Sequence, residues 1–201
     1  MTRLGYILVS TLGALAVGAP TFVPAAPKLI WNASASAPIG LYSVQRAGHL
    51  AVSDFVAVMP PEPLARMLDQ RGYLPLGVPL IKRVVALPPQ SVCRHGLQIT
   101  VDGIEMAEAQ ERDRLGRALP AWEGCRRIGD GDIFLLNWRH PDSLDGRYFG
   151  PLPQSTIIGR VVPLLTEETG TGQFEWRASA ARAHRSGNSN SIPTTQNDTE
   201  R

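Results

Sequence analysis

The segment "LIKRVVAL", Leu80 to Leu87, is a strongly apolar run with several β-branched residues, interrupted only by Lys82 and Arg83. A short run of this composition predicts a buried β-strand. The chain also holds 19 glycines and 17 prolines among its 201 residues, which favours short strands and turns over long helices. The segment therefore indicates a β protein, and a lysine inside such a strand is unusual.

Further strand signals lie on both sides of this segment. Residues 41–60 indicate two short strands around Gly48, and "LQITVDGIEMA" predicts a hairpin that turns at Asp102-Gly103. "DIFLLNW" and "TIIGRVVPLL" add two more strands, whereas "EPLARMLDQRGYL" has the apolar spacing of a short helix that stops near Gly72. The predicted fold class is mainly β, with one or two short helices.

The two ends of the chain differ from this middle part. Leu4 to Ala26 contains no charged residue and is long enough to span a bilayer. Arg3 precedes it, so we expect the N-terminus to stay cytoplasmic and the bulk to be exported; a cleaved signal peptide is the alternative. We therefore predict a membrane anchor over 1–27, a folded domain over 28–166, and a polar, disordered tail over 167–201.

Charge and cysteine content exclude several classes of protein. The formal net charge is +2, and the basic residues form no cluster of the kind that binds nucleic acid. Cys93 and Cys125 predict a disulfide if the domain is exported, with two separate buried thiols as the alternative. The cysteines lack metal-ligand spacing, so neither a metal nor a cofactor is predicted.

Lys82 is a candidate general base. Burial penalises the ammonium form and lowers the pKa of a lysine, so a lysine in an apolar strand can act as a neutral base. The alternative is that Lys82 extends to the surface or pairs with an acid. The chain has 18 arginines and two lysines, and arginine stays charged, so a lysine base must be Lys28 or Lys82.

Two further segments carry polar residues of the kinds that act together with a lysine base, as nucleophile or as support. "NASASAPIGLY", Asn32 to Tyr42, places two serines, Ser34 and Ser36, on a turn, and a lysine can activate a serine hydroxyl as a nucleophile. "HPDSLDGRYFGPLP" begins at His140 and contains three polar residues with possible supporting roles: Ser143, Asp145 and Arg147. Alternatives are a polar turn, an exposed loop, or a Ser-His-Asp arrangement that uses His140.

Three segments behind the apolar N-terminus resemble, in their order, the signature segments of type I signal peptidases: "SASAPIGLY", "PLIKRVVALP" and "SLDGRYFGP". They are more similar to the TraF-type conjugal-transfer peptidases of the same serine–lysine superfamily. The chain has Ser36-Ala37-Pro38 where signal peptidases usually have Ser-Met-x-Pro, and Pro88-Pro89-Gln90 where they usually have Pro-Gly-Asp. It also has Asn137-Trp138-Arg139 in place of Gly-Asp-Asn. These departures favour the conjugal-transfer branch.

The resemblance implies a role for each matching residue. Ser36 would be the nucleophile and Lys82 the base, with Ser34 contributing to the oxyanion hole. Ser143 would orient the lysine, while Asp145 and Arg147 would brace the site. The implied fold is the signal-peptidase β fold.

The resemblance also implies a substrate and a location. The substrate would be a propilin-like precursor, which a domain on the periplasmic side of a bacterial inner membrane either cleaves or both cleaves and cyclises. Alternatives are a general type I signal peptidase, a self-cleaving regulator of the LexA type, and a non-catalytic membrane-anchored protein of a pilus or secretion machine. The apolar N-terminus argues against the regulator.

Overall fold

The structure is a computed structural model that describes residues 3–18, 27–168 and 170–177. Within these ranges the helices are α1 (Arg3–Gly18), α2 (Glu62–Gln70) and α3 (Gly146–Phe149). The strands are β1 (Leu29–Asn32), β2 (Ile39–Gln45), β3 (Phe55–Val58), β4 (Leu80–Ala86), β5 (Ser91–His95), β6 (Gln98–Val101), β7 (Ile104–Glu108), β8 (Gly124–Arg127), β9 (Asp132–Leu135), β10 (Leu152–Pro153), β11 (Ile157–Glu167) and β12 (Glu175–Trp176). The prediction of a mainly β fold with short helices in the folded domain is confirmed.

The strands form two antiparallel sheets. The larger sheet has the order β1-β2-β11-β3-β4-β9-β10, with β12 paired to β11. The smaller sheet has the order β7-β6-β5-β8. The strand that carries Lys82, β4, lies inside the larger sheet between β3 and β9, which explains its apolar composition.

Local sequence explains where the β6–β7 hairpin turns and where helix α2 begins and ends. Asp102 and Gly103 both have positive φ angles, 49° and 82°, as a tight hairpin turn requires; they join β6 to β7, as predicted. Helix α2 has a proline in its first turn and ends at Gln70, before Gly72 at φ 68°. The predicted hairpin and helix are therefore both present.

Gly40 allows β2 to approach β11 next to the serine turn. A Cβ atom at this position would lie 2.1 Å from the carbonyl oxygen of Leu165, and Gly40 has a φ of 142°. A larger residue would push the two strands apart, because the contact is with backbone atoms that cannot yield. The glycine in "SAPIGLY" therefore holds the turn against the sheet.

The small sheet carries the disulfide. Cys93 on β5 and Cys125 on β8 are directly opposite in the strand pairing, and their sulfur atoms are bonded to each other. His95 lies beside this bridge, with its Nε2 atom 3.9 Å from the Sγ atom of Cys125. Because both sulfurs are used in the disulfide, this group is not a ligand set for a metal in the structure.

The two chain ends are described only in part. In the ranges that the structure describes, no helix combines the length and apolar character needed to cross a bilayer. Residues 1–2 and 19–26 of the predicted anchor lie outside those ranges. Residues 170–177 of the predicted tail include β12, which pairs with the end of β11. Glu167, the first residue of the predicted tail, ends β11, and residues 169 and 178–201 lie outside the described residues.

Candidate active site

Ser36 and Lys82 lie next to each other, although 46 positions separate them in the chain. The Nζ atom of Lys82 donates a 3.2 Å hydrogen bond to the Oγ atom of Ser36. Ser36 lies on the turn before β2 and is partly accessible, whereas Lys82 on β4 is only 2% exposed. The pair thus joins a reachable hydroxyl to a buried amine, the arrangement that lysine activation of a serine requires.

The Ser36 turn is held by side chains because it has no strand partner of its own. Asn32 Nδ2 donates hydrogen bonds to the carbonyl oxygens of Ser34, Ala37 and Pro38, at 2.9, 3.1 and 3.0 Å. The Tyr42 hydroxyl donates a 2.7 Å hydrogen bond to the same Pro38 oxygen. These contacts satisfy carbonyl groups of the turn with side-chain donors, so the turn has a defined shape.

Ser34 lies close to the candidate nucleophile. Its hydroxyl oxygen is 3.0 Å from the Oγ atom of Ser36, and it accepts a 3.3 Å hydrogen bond from the Ser36 backbone N–H. Ser34 is exposed, so its hydroxyl can rotate between these partners and a third group. The position fits the helper role that the sequence resemblance implies for Ser34.

Burial and neighbouring charges set the protonation of Lys82. Removal from water lowers the pKa of Lys82 to about 8; the carboxylate of Asp145 opposes this change, and the guanidinium of Arg147 adds to it. A pKa near 8 leaves a usable fraction of the amine neutral at physiological pH. The ammonium also donates a 2.8 Å hydrogen bond to Ser143 Oγ, which is buried beside it.

Asp145 and Arg147 form a buried ion pair behind the lysine. Arg147 Nε and Nη2 donate to the two oxygens of Asp145, each at 2.9 Å, and both side chains are at most 1% exposed. Arg147 also donates to backbone carbonyls of the loop that carries Ser143, including that of Ser143 itself at 2.9 Å. This pair therefore holds the loop in place from inside.

Asn137 and Asn32 are polar residues of the site that the sequence analysis did not assign to it. Asn137 is 3% exposed and donates to the backbone carbonyl of Ser36 at 2.6 Å. Asn32 is 8% exposed and holds the serine turn. The partners of Asn137 lie 54 to 101 positions away in the chain, so its sequence neighbours give no sign of this role. Asn32 instead bonds to residues two to six positions ahead of it, within the turn itself.

A cleft of about 480 Å³ opens at Ser36. Its walls combine apolar surface with charge of both signs, from Phe55, Trp138, Arg83, Arg139, His140, Glu167 and Glu168 among others. Arg83 stacks on Phe55, with its guanidinium carbon 3.7 Å from the ring centroid. The cleft is large enough for several residues of an extended peptide.

His140 does not form a catalytic triad with Ser36. It lines the same cleft, and burial together with the positive charge of Lys82 lowers the pKa of its imidazole. The hydrogen-bond partner of Ser36 on the base side is Lys82 rather than a histidine. The geometry thus favours the serine–lysine arrangement over the Ser-His-Asp alternative.

A family model and several known proteins match this chain. The sequence model of the family described as "Signal peptidase, peptidase S26" matches residues 1–165. A probable conjugal transfer protein TraF from Sinorhizobium fredii is 34% identical over 145 residues, covering 67% of this chain and 76% of that protein. A conjugal transfer protein TraF from Agrobacterium fabrum is also 34% identical over 145 residues, covering 67% of this chain and 81% of that protein.

A solved signal peptidase I from Enterococcus faecalis aligns with 58% of this chain and 99% of its own, at 17% identity and a TM-score of 0.36. The match over residues 1–165 places the chain in the signal peptidase family, peptidase S26. Its relatives include conjugal transfer proteins named TraF, so the resemblance found in the sequence is confirmed.

Proposed function

We propose that this protein is a membrane-anchored serine endopeptidase that cleaves an exported, propilin-like precursor during conjugative transfer. The observation that carries the proposal is the 3.2 Å contact between the buried Lys82 amine and the Ser36 hydroxyl. Membership of a peptidase family supports the reaction, and relatives named for conjugal transfer support the biological setting.

In the proposed reaction, neutral Lys82 takes the proton of Ser36 as the Ser36 oxygen bonds to the carbonyl carbon of the scissile peptide. The backbone N–H of Ser36 donates to the Ser34 hydroxyl in the free chain; on substrate binding both groups exchange this contact for the developing oxyanion, where one such donor is typically worth about 3–4 kcal/mol. Protonated Lys82 then gives its proton to the leaving amine as the C–N bond breaks. The product is an acyl-enzyme at Ser36.

A second nucleophile completes the proposed cycle. Water attacks the acyl-enzyme and releases a carboxylate; an amine from a peptide end would instead form a new peptide bond and close a ring. In both cases Lys82 accepts a proton from the attacking group and returns one to Ser36. The cleft opens at Ser36 between charged and apolar walls, which supports binding of an extended segment of the precursor.

The proposed anchor places this reaction at the membrane. Helix α1 presents large apolar side chains such as Leu8, Leu12 and Leu15, each more than half exposed in the isolated chain. Exposed apolar surface of this kind is typical of a segment that contacts lipid or protein. We propose that the domain lies on the periplasmic side, where its disulfide is stable.

The experiment is cleavage of a signal-bearing pilin precursor by the full chain in detergent. We expect Ser36→Ala to lose cleavage while keeping the wild-type unfolding temperature, since Ser36 is partly accessible. Lys82→Ala and Lys82→Arg should also lose cleavage, because alanine has no amine and arginine cannot become a neutral base. Lys28→Ala is the matched control, since Lys28 is the other lysine and is exposed. Cleavage by Ser36→Ala at the wild-type rate would show that Ser36 is not the nucleophile, whereas a wild-type chain that does not cleave the precursor would leave the non-catalytic assembly role.

A further inference from the structure

The side chain of Asn137 joins the two halves of the candidate dyad. Its Nδ2 atom donates a 2.6 Å hydrogen bond to the carbonyl oxygen of Ser36 and a 3.2 Å hydrogen bond to that of Ile81. Its Oδ1 atom accepts a 3.0 Å hydrogen bond from the backbone N–H of Arg83. One amide group thus contacts the backbone of the nucleophile and both neighbours of Lys82.

Strand pairing alone does not fix the distance between Ser36 and Lys82. Ser36 precedes β2 and Lys82 lies on β4, and in the larger sheet β11 and β3 lie between these two strands. No ladder of backbone hydrogen bonds therefore runs directly from β2 to β4 in the order of that sheet. The Asn137 amide supplies a direct connection, because it is planar and short and binds both segments at once.

The backbone of Asn137 is held in place by the buried Asp145–Arg147 ion pair. Its backbone N–H donates a 3.0 Å hydrogen bond to Asp145 Oδ2, and Asp145 is completely buried in its ion pair with Arg147. The same Asp145–Arg147 pair holds the loop of Ser143, which contacts Lys82. The position of Asn137 is therefore tied to the same support that positions the lysine.

We propose that Asn137 is a positioning residue that sets the approach of Ser36 Oγ to Lys82 Nζ. The inference rests on the proposed function, since it assigns a partner to that dyad. Its physical basis is that proton transfer depends steeply on the distance between the heavy atoms. A displacement of about 1 Å at such a site can cost on the order of 100-fold in rate.

The test measures acylation of Ser36 by a penem, a strained β-lactam that reacts with activated serine hydroxyls. In this reaction the Ser36 oxygen bonds to the lactam carbonyl carbon, the lactam C–N bond breaks, and Lys82 carries the proton from oxygen to nitrogen. Intact-mass spectrometry of the full chain in detergent gives two values: the rate constant and the final number of acyl groups per chain.

Two variants separate positioning from folding. Asn137→Ala removes all three side-chain hydrogen bonds. Asn137→Asp keeps the shape and the acceptor for Arg83 N–H but faces two carbonyl oxygens with an acceptor. We expect the acylation rate constant to fall about 10- to 100-fold in both variants, and Asn137→Asp to be at least as slow as Asn137→Ala. The final stoichiometry should stay at one acyl group per chain. A variant that is only less stable would instead carry fewer acyl groups per chain at the end of the reaction.

Gln90→Ala is the matched control. The Gln90 amide also bridges two segments, since it accepts from the Leu87 N–H and donates to Asp102, but it lies away from the site. We expect this variant to react at the wild-type rate. The positioning role is overturned if Asn137→Ala and Asn137→Asp acylate at the wild-type rate, if Gln90→Ala slows as much as they do, or if both Asn137 variants give a stoichiometry near zero.

The proposed function fails by a different result. If the wild-type chain forms no adduct, or forms it on a residue other than Ser36, the nucleophile assignment is wrong whatever Asn137 does. If wild type and Gln90→Ala are acylated on Ser36 and the Asn137 variants are equally fast, only the inference about Asn137 fails.

Discussion

Lys82 Nζ lies 2.8 Å from Ser143 Oγ, closer than it lies to Ser36 Oγ at 3.2 Å. Ser143 is 2% exposed, and the backbone of its loop is held by Arg147. The shorter contact therefore comes from a rigid, buried partner, and the longer one from the turn that faces the cleft. This arrangement lets Ser143 direct the lysine toward Ser36.

We expect Ser143→Ala to lower kcat by about 10- to 100-fold with little change in KM, because the lysine loses the group that orients it. Steady-state kinetics on the precursor would measure both constants. Ser155→Ala, an exposed serine outside the site, should behave as wild type. If Ser143→Ala and wild type have the same kcat, Ser143 does not orient the lysine.

The second prediction concerns pH. Because burial lowers the pKa of Lys82 to about 8, the neutral base is the minority form at pH 7, and its fraction rises with pH. We expect kcat/KM to increase from pH 6 and level off above the pKa of Lys82 in the free enzyme. A profile measured from pH 6 to 10 checks this expectation. A half-point above pH 10 would mean that the lysine is not desolvated.

The third prediction links the lysine to stability. The pKa of Lys82 is below that of an unfolded lysine, 10.5, so the unfolded chain binds more protons between these values and folding gains stability as pH rises through them. Below pH 8 the cost of burying the amine is of order 3 kcal/mol. We expect Lys82→Met to be more stable than wild type at pH 7, with a smaller advantage at pH 10.

Urea unfolding at the two pH values measures this difference, with Lys28→Met as the control on an exposed lysine. The contact that Ser143 loses in Lys82→Met reduces the gain but does not depend on pH in this range. A stability difference that stays constant from pH 7 to 10 contradicts the assignment of the penalty to the lysine charge.

The fourth prediction concerns the buried ion pair. Asp145→Ala leaves the Arg147 guanidinium buried without its carboxylate, a change that typically costs about 3–5 kcal/mol. We expect a large loss of stability, together with loss of activity. Glu62→Ala breaks the exposed pair between Glu62 and Arg66 on α2 and should cost less than about 1 kcal/mol. Thermal unfolding of both variants compares the two environments directly.

The fifth prediction concerns the disulfide. Cys93 and Cys125 are 32 positions apart, and closing a loop of this size stabilises a fold by about 3–4 kcal/mol on the chain-entropy estimate. The double variant Cys93→Ser/Cys125→Ser should unfold at lower denaturant concentration. Its kcat at 25 °C should be close to wild type, because the bridge lies in the small sheet. A large fall in kcat would show that the small sheet positions the site.

Much of this fold is readable from local sequence. The apolar run around Lys82, the Asp102-Gly103 turn and the spacing in α2 each depend on neighbouring residues, so pattern and turn chemistry predict them. The pairing of β2 with β11 could not be predicted in this way. It depends on the close approach at Gly40 to a backbone atom of Leu165, more than a hundred residues away.

The candidate site likewise has features that local sequence predicts and features that it does not. The sequence by itself determined which groups have the required chemistry: two serines on a turn, a lysine in an apolar strand, and a Ser-x-Asp-x-Arg segment whose order resembles a known family. Only the tertiary structure decided how these groups are supported. Asn137 acts through hydrogen bonds to the backbone of Ser36 and Ile81, 101 and 56 positions away in the chain, and a hydrogen bond depends on spatial distance, which sequence spacing does not encode.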